Sequence, residues 1–186
     1  MLKKILLTLT TCLSFMSISA QAVSDQDIVV KAQKNGDVIT IDMNVTVPVV
    51  PEEAWAVMVD FDHMPNFLPN LQSSKILEKN GNKWKVAQKG QSSHAGFSVS
   101  FESVREVELV PFESIRSHLL SGTMKKQDGV TQLTPSGTGT HIVYHSESIA
   151  NVWVPPMLGT SVIEDEVRRQ FQEMSKEMLK RHAGTK

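Results

Sequence analysis

Val47-Pro48-Val49-Val50-Pro51-Glu52-Glu53-Ala54-Trp55-Ala56-Val57-Met58-Val59-Asp60-Phe61 is where a strand passes into a helix. Up to Val47 the apolar residues alternate, as on a strand with one buried face. Pro51 suits a first helical turn, where a missing N–H costs nothing, and Glu52 and Glu53 suit the positive end of the helix dipole. Ala54, Trp55, Met58, Val59 and Phe61 or Asp62 then cover nearly two helical turns. They predict a short, mostly buried helix that Pro65 ends.

Upstream, Ile28-Val29-Val30 and Val38-Ile39-Thr40-Ile41 flank Lys34-Asn35-Gly36-Asp37, and the Asn-Gly pair predicts a hairpin with a type I′ turn. Residues 1–22 read as a secretory signal: Lys3 and Lys4, an apolar run from Ile5 to Ile18, then Ala20-Gln21-Ala22 as the cleavage site. That run is shorter than the ~20 residues a membrane anchor needs. Thr11 before Cys12 fits a lipoprotein signal poorly. Cleavage after Ala22 removes the one cysteine and leaves residues 23–186 as a mildly acidic, thiol-free domain. A bacterial periplasmic or secreted location follows as an expectation.

Downstream, period-two patterning runs from Leu71 to Ile149. Strands are expected at Leu71 to Lys79, Lys83 to Lys89, Phe97 to Val110, Glu113 to Thr134 with a turn at Asp128-Gly129, and Thr140 to Ile149. Phe97, Val99 and Phe101, alternating with Ser98, Ser100 and Glu102, give the clearest half-buried strand. A long amphipathic helix is expected from about Pro156 to Arg181, with Met157, Ile163, Val167, Phe171, Met174 and Met178 on one face. Glu164/Arg168, Asp165/Arg169 and Glu177/Arg181 are i,i+4 pairs expected on its solvated side. Nothing divides the chain, so one α+β domain is the reading.

Across the 186 residues a net charge of -1 lacks the clustered basic surplus that nucleic acid requires. His141 and His145 have a spacing that suits a metal on a helix. Their neighbours Ile142, Val143 and Tyr144 place them on a strand, where they stand ~13 Å apart and cannot share an ion. No metal or cofactor is expected. Two registers are open for that strand. The one with Ile142, Tyr144, Ser146 and Ser148 inward is preferred, because the other buries three ionisable groups without a cationic partner.

Val47 to Phe61, followed by Asn66-Phe67-Leu68-Pro69-Asn70-Leu71 and Ser73-Ser74, resembles the opening of the START-like polyketide cyclase/dehydrase and lipid-transport superfamily (SRPBCC), which includes coenzyme Q-binding proteins. Ser121-Gly122-Thr123-Met124, Gly139-Thr140-His141-Ile142-Val143-Tyr144 and Pro155-Pro156-Met157-Leu158-Gly159 follow in the order of that family. The resemblance implies a helix-grip fold, a curved antiparallel sheet of about seven strands wrapped around the C-terminal helix over a largely apolar cavity. It implies a carrier for a hydrophobic small molecule, lipid or quinone. The alternatives are a cyclase or dehydratase in the same cavity and a module that binds another envelope protein.

The expected lining is Phe67, Trp84, Phe97, Phe101, Leu119, Met124, Tyr144, Met157, Val167, Phe171 and Met174. Methionines suit a pocket that repacks around a flexible ligand and suit an ordinary core equally. Tyr144 either orients a ligand or acts as an acid, or its hydroxyl simply finds a core partner. Arg116 and His118 share a strand face and are further candidates for proton handling, although Ile115, Ser117 and Leu119 are expected inside. Phe67 and Trp153, in two proline-marked loops, are expected near the cavity mouth, where transient membrane contact would occur.

Overall fold

The computed structural model describes residues 27–94, 97–151 and 159–185, without the side chains of His94 and Phe97. Eight strands form one curved, unclosed antiparallel sheet: β1 Val29–Asn35, β2 Val38–Val47, β3 Leu71–Asn80, β4 Lys83–His94, β5 Phe97–Val110, β6 Ser114–Gly122, β7 Met124–Ser136 and β8 Gly139–Ala150. Their spatial order is β1-β2-β8-β7-β6-β5-β4-β3. The N-terminal hairpin thus joins the far side of a six-stranded meander, along the β2/β8 seam.

Between β2 and β3 the chain forms α1, Pro51–Met58, and a 3-10 helix, Phe61–Asn66. The single predicted helix is therefore two elements, and Pro65 lies inside the second rather than ending the first. α1 buries Ala54, Trp55, Val57 and Met58 against α2 and the β7/β8 end of the sheet. There Val47, Val49, Leu133 and Ile142 complete a core in which Val47, Val57 and Ile142 are fully buried. The Thr140 hydroxyl donates to the Val49 carbonyl at 2.7 Å, so even the buried polar group of that end is satisfied.

The last element, α2, spans Thr160–Gly184, so it begins later and ends later than the expected Pro156 to Arg181. Residues 152–158, which include the expected lining residue Met157 and the loop residue Trp153, lie outside the described residues. Of the three expected i,i+4 pairs, Glu177–Arg181 forms. Arg168 and Arg169 instead pair one residue closer, with Asp165 and Glu166. Glu164, left without its expected partner, fastens the helix to the sheet, its Oε1 accepting the backbone N–H of Ala32 on β1 at 2.9 Å, while Glu166, besides pairing with Arg169, accepts from Asn70, just before β3, at 3.0 Å. This face is therefore more than solvated helix surface.

Three strand expectations are corrected. β4 runs on through Gly90 to His94, because Gly90 is used for a close approach: a Cβ there would stand 2.1 Å from the Asn70 carbonyl oxygen. The predicted turn at Asp128-Gly129 lies within β7, and the break falls at Thr123, whose N–H donates to the Glu102 carbonyl. Gly129 serves packing instead, since a Cβ would meet Ser117 Oγ at 3.2 Å and the Tyr144 ring at 3.5 Å. Ser98, Val99 and Ser100 are all exposed, so the alternation starting at Phe97 buries a face only from Phe101 onward.

The N-terminal hairpin forms where expected. Its two loop residues are Gly36 and Asp37, and only Gly36, at φ 60°, is left-handed. That pattern is the one that starts a type II′ turn, not type I′.

Candidate functional site

α2 lies across the concave face of the sheet without filling it, and a cavity of about 390 Å³ remains between them. The apolar wall is built by element. Met58 of α1, Phe61 and Met64 of the 3-10 helix, and Leu68 and Leu71 after it close one side. Phe101 and Val107 of β5 and Ile115 of β6 form the floor. From α2, Val167, Phe171 and Met174 form the roof, one helical face at spacings of four and three. The ladder between β6 and β7 stops at His118–Asp128, and beyond it Thr123, Met124 and Gln127 reach the cavity.

Tyr144 enters from β8 with its ring 5.8 Å from that of Phe171. The strand takes the preferred register: Ile142, Ser146 and Ser148 are buried, and Val143 and Glu147 are exposed.

Polar groups line the same space. Arg105, on β5 at the parity of Phe101 and Val107, projects into it. Its Nη2 donates to Gln88 Oε1, a diagonal neighbour on β4, and Gln88 in turn donates to Ser74 Oγ at 3.0 Å. Arg105 Nε is buried and has no acceptor. Burial pulls the guanidinium below its ordinary pKa, and the Tyr144 phenol opposes that shift. Asn70 carries a second unmet group, its buried Oδ1, while its Nδ2 is held by Glu166.

The cavity brings together six of the expected lining residues: Phe101, Met124, Tyr144, Val167, Phe171 and Met174. Trp84 stands behind the wall, edge-on to Phe61 at 6.2 Å, with the Lys79 ammonium 4.0 Å above its ring. Phe67 packs on the outside against α2, under the Arg181 guanidinium at 5.6 Å. Leu119 is half-buried on the inward face beyond Ser117, outside the lining. Phe97 is described only as backbone in β5.

Arg116 and His118 are exposed on the opposite, convex face of the sheet. There His118 Nδ1 lies 2.5 Å from Asp128 and His145 Nδ1 lies 2.7 Å from Asp42, in a shallow groove with Glu106, Glu108 and Glu147. A hydrogen bond from His118, and then one from Lys126, holds the Asp128 carboxyl below its ordinary range. Neither Arg116 nor His118 can act on a molecule in the cavity. Arg105 is the charged cavity residue of the sheet floor that sequence reasoning missed, and its signal was the strand parity shared with Phe101. Among the described residues no three His, Cys, Asp or Glu side chains converge as a metal site.

Comparison with known proteins adds a lineage to this geometry. Residues 47–175 match the family model for polyketide cyclase / dehydrase and lipid transport. No curated protein matches the sequence. Among solved structures, the STAR-related lipid transfer protein of Xanthomonas axonopodis aligns with a TM-score of 0.69 at 10% identity, covering 82% of this chain and 94% of that one. A START superfamily protein from Mycobacterium smegmatis aligns with a TM-score of 0.59 at 18% identity, over 79% and 99% of the two chains. The Zhui aromatase/cyclase of a Streptomyces species aligns with a TM-score of 0.58 at 17% identity, over 77% and 93%.

Proposed function

Because the chain belongs to the polyketide cyclase/dehydrase and lipid transport family, we propose that it is an exported carrier for a hydrophobic small molecule, lipid or quinone held under α2. The observation that carries this reading is the cavity of about 390 Å³, to which the 3-10 helix, the sheet and α2 each contribute apolar side chains. It falls toward the small end of the roughly 300–1,000 Å³ typical of ligand pockets, which suits one compact or single-chain molecule. Binding is driven by apolar burial, worth about 25 cal/mol per Å² before the cost of ordering the ligand. Export rests on the signal read in residues 1–22. Phe67, half-buried at the outer end of α2, is the described side chain that would touch a membrane during exchange.

Protein purified from the periplasmic fraction is expected to begin at Val23 and to release a near-stoichiometric hydrophobic molecule into organic solvent, read by mass spectrometry. Repeated extraction of an empty protein counts against the carrier, and recovery only from the cytoplasm counts against export. Replacement of Phe67 with Ser is expected to slow ligand transfer between liposomes.

The cyclase reading draws on one observation, the Tyr144 phenol and Arg105 guanidinium facing the same cavity. Turnover of an aromatic polyketide that is lost in Tyr144→Phe would favour it over the carrier.

A further inference from the structure

Arg105 differs from the arginines of α2 in one respect. Arg168, Arg169 and Arg181 each have a carboxylate partner, whereas Arg105, half-buried in the cavity wall, has none among the described residues. Its protein acceptor is the neutral Gln88, already engaged with Ser74, and its Nε–H is buried without any acceptor. Two carboxylates border the cavity. Glu166 is taken up by Asn70 and Arg169, and Glu102 is exposed. A guanidinium cannot shed its charge as a lysine or histidine does, so an enclosed one calls for an anion.

We propose that the cavity selects amphipathic ligands with a single carboxylate head, which sits at Arg105 while the hydrocarbon lies along Phe101, Val167, Phe171 and Met174. This rests on the reading of the cavity as a hydrophobic-ligand site and narrows its ligand class. A planar carboxylate matches the guanidinium fork and its single charge balances Arg105 one for one. A phosphate monoester head brings more negative charge than the single Arg105 guanidinium balances. A neutral head leaves the cation unbalanced.

The test is competitive binding to the delipidated full chain with dodecanoate, dodecanol, dodecyl phosphate and dodecyltrimethylammonium near neutral pH. Dodecanoate is expected to bind about tenfold or more tightly than dodecanol, equivalent to about 1.4 kcal/mol, and the cationic amphiphile weakest. Arg105→Met is expected to bring dodecanoate down to the level of dodecanol, and Arg105→Lys to keep part of the preference. The ligand-free Arg105→Met protein is expected to unfold at a higher temperature than the parent, because an unbalanced buried charge has gone. Equal binding of dodecanoate and dodecanol overturns the proposal while leaving the hydrophobic cavity standing, and tighter binding of dodecyl phosphate overturns the choice of head. Failure of all four probes to bind removes the cavity reading as well. A preference that survives in Arg105→Met overturns the role of this residue.

Discussion

Gly90 is where the β4 backbone packs directly against the Asn70 carbonyl and the Phe101 ring of the cavity wall. A Cβ at this position would lie 2.1 Å from the Asn70 carbonyl oxygen and 2.6 Å from Phe101 Cζ, and the first of these is backbone that cannot step aside. Asn70 also accepts the N–H of Gln91 at 2.9 Å, so any displacement would loosen the β3/β4 pairing where the wall turns. Gly90→Ala is expected to destabilise the protein by about 2 kcal/mol, within the usual range for overpacking, and to weaken ligand binding through Phe101. Urea unfolding checks the first effect and titration with a hydrophobic probe the second. The glycine was visible in the sequence, but its spacing read as a break, because close approach of a distant carbonyl leaves no local pattern. Arg105 illustrates the opposite case. Strand parity pointed it inward all along, yet a charged residue on an inward face reads as a solvated exception until the cavity beside it is known.

At the scale of elements, α2 is held at both ends by polar ties the periodicity did not foretell. Near its end, Arg181 donates to Asp60 at 2.8 Å and His182 lies 2.9 Å from Glu53, which fastens the helix to α1 and the residues that follow it. Burial alone would raise the Asp60 carboxyl, but hydrogen bonds from His63 and Arg181 outweigh it and hold the group below its ordinary value of 3.8. The folded state therefore binds this proton less readily than the unfolded chain does. The stability so gained is fully present above the ordinary value and is lost as the pH falls through the lower, folded one.

Urea unfolding of the parent is thus expected to weaken progressively below about pH 4, with Asp60→Asn showing a smaller decline. At neutral pH that variant should cost about 1 kcal/mol, as partly exposed ion pairs do. Parallel pH profiles for the two proteins would count against the tie. The amphipathic face of α2 was legible because Val167, Phe171 and Met174 recur at fixed spacing. The destinations of Glu164, Glu166 and Arg181 depend on which strand or helix lies opposite, which spacing does not encode.

For the whole molecule, the sequence order of strands resolved well because hairpins join neighbours, and the six-stranded meander follows the chain. The β2/β8 seam was not legible. It joins segments about a hundred residues apart, Asp42 opposite His145 among them, and only the return of the meander to the N-terminal hairpin brings them together. An open sheet has another consequence at its margin. Among the described residues β1 has β2 on one side and no strand on the other, so its outward N–H groups form a template on which a second chain could add a strand. The carboxylate of Glu164 occupies that template at Ala32. Glu164→Ala should leave the cavity intact and cost about 1 kcal/mol. It should also produce concentration-dependent self-association in sedimentation velocity, whereas a variant that stays as dispersed as the parent would show this contact to be irrelevant to solubility. In this arrangement the helix that roofs the cavity also supplies a carboxylate cap to one outward N–H of the edge strand.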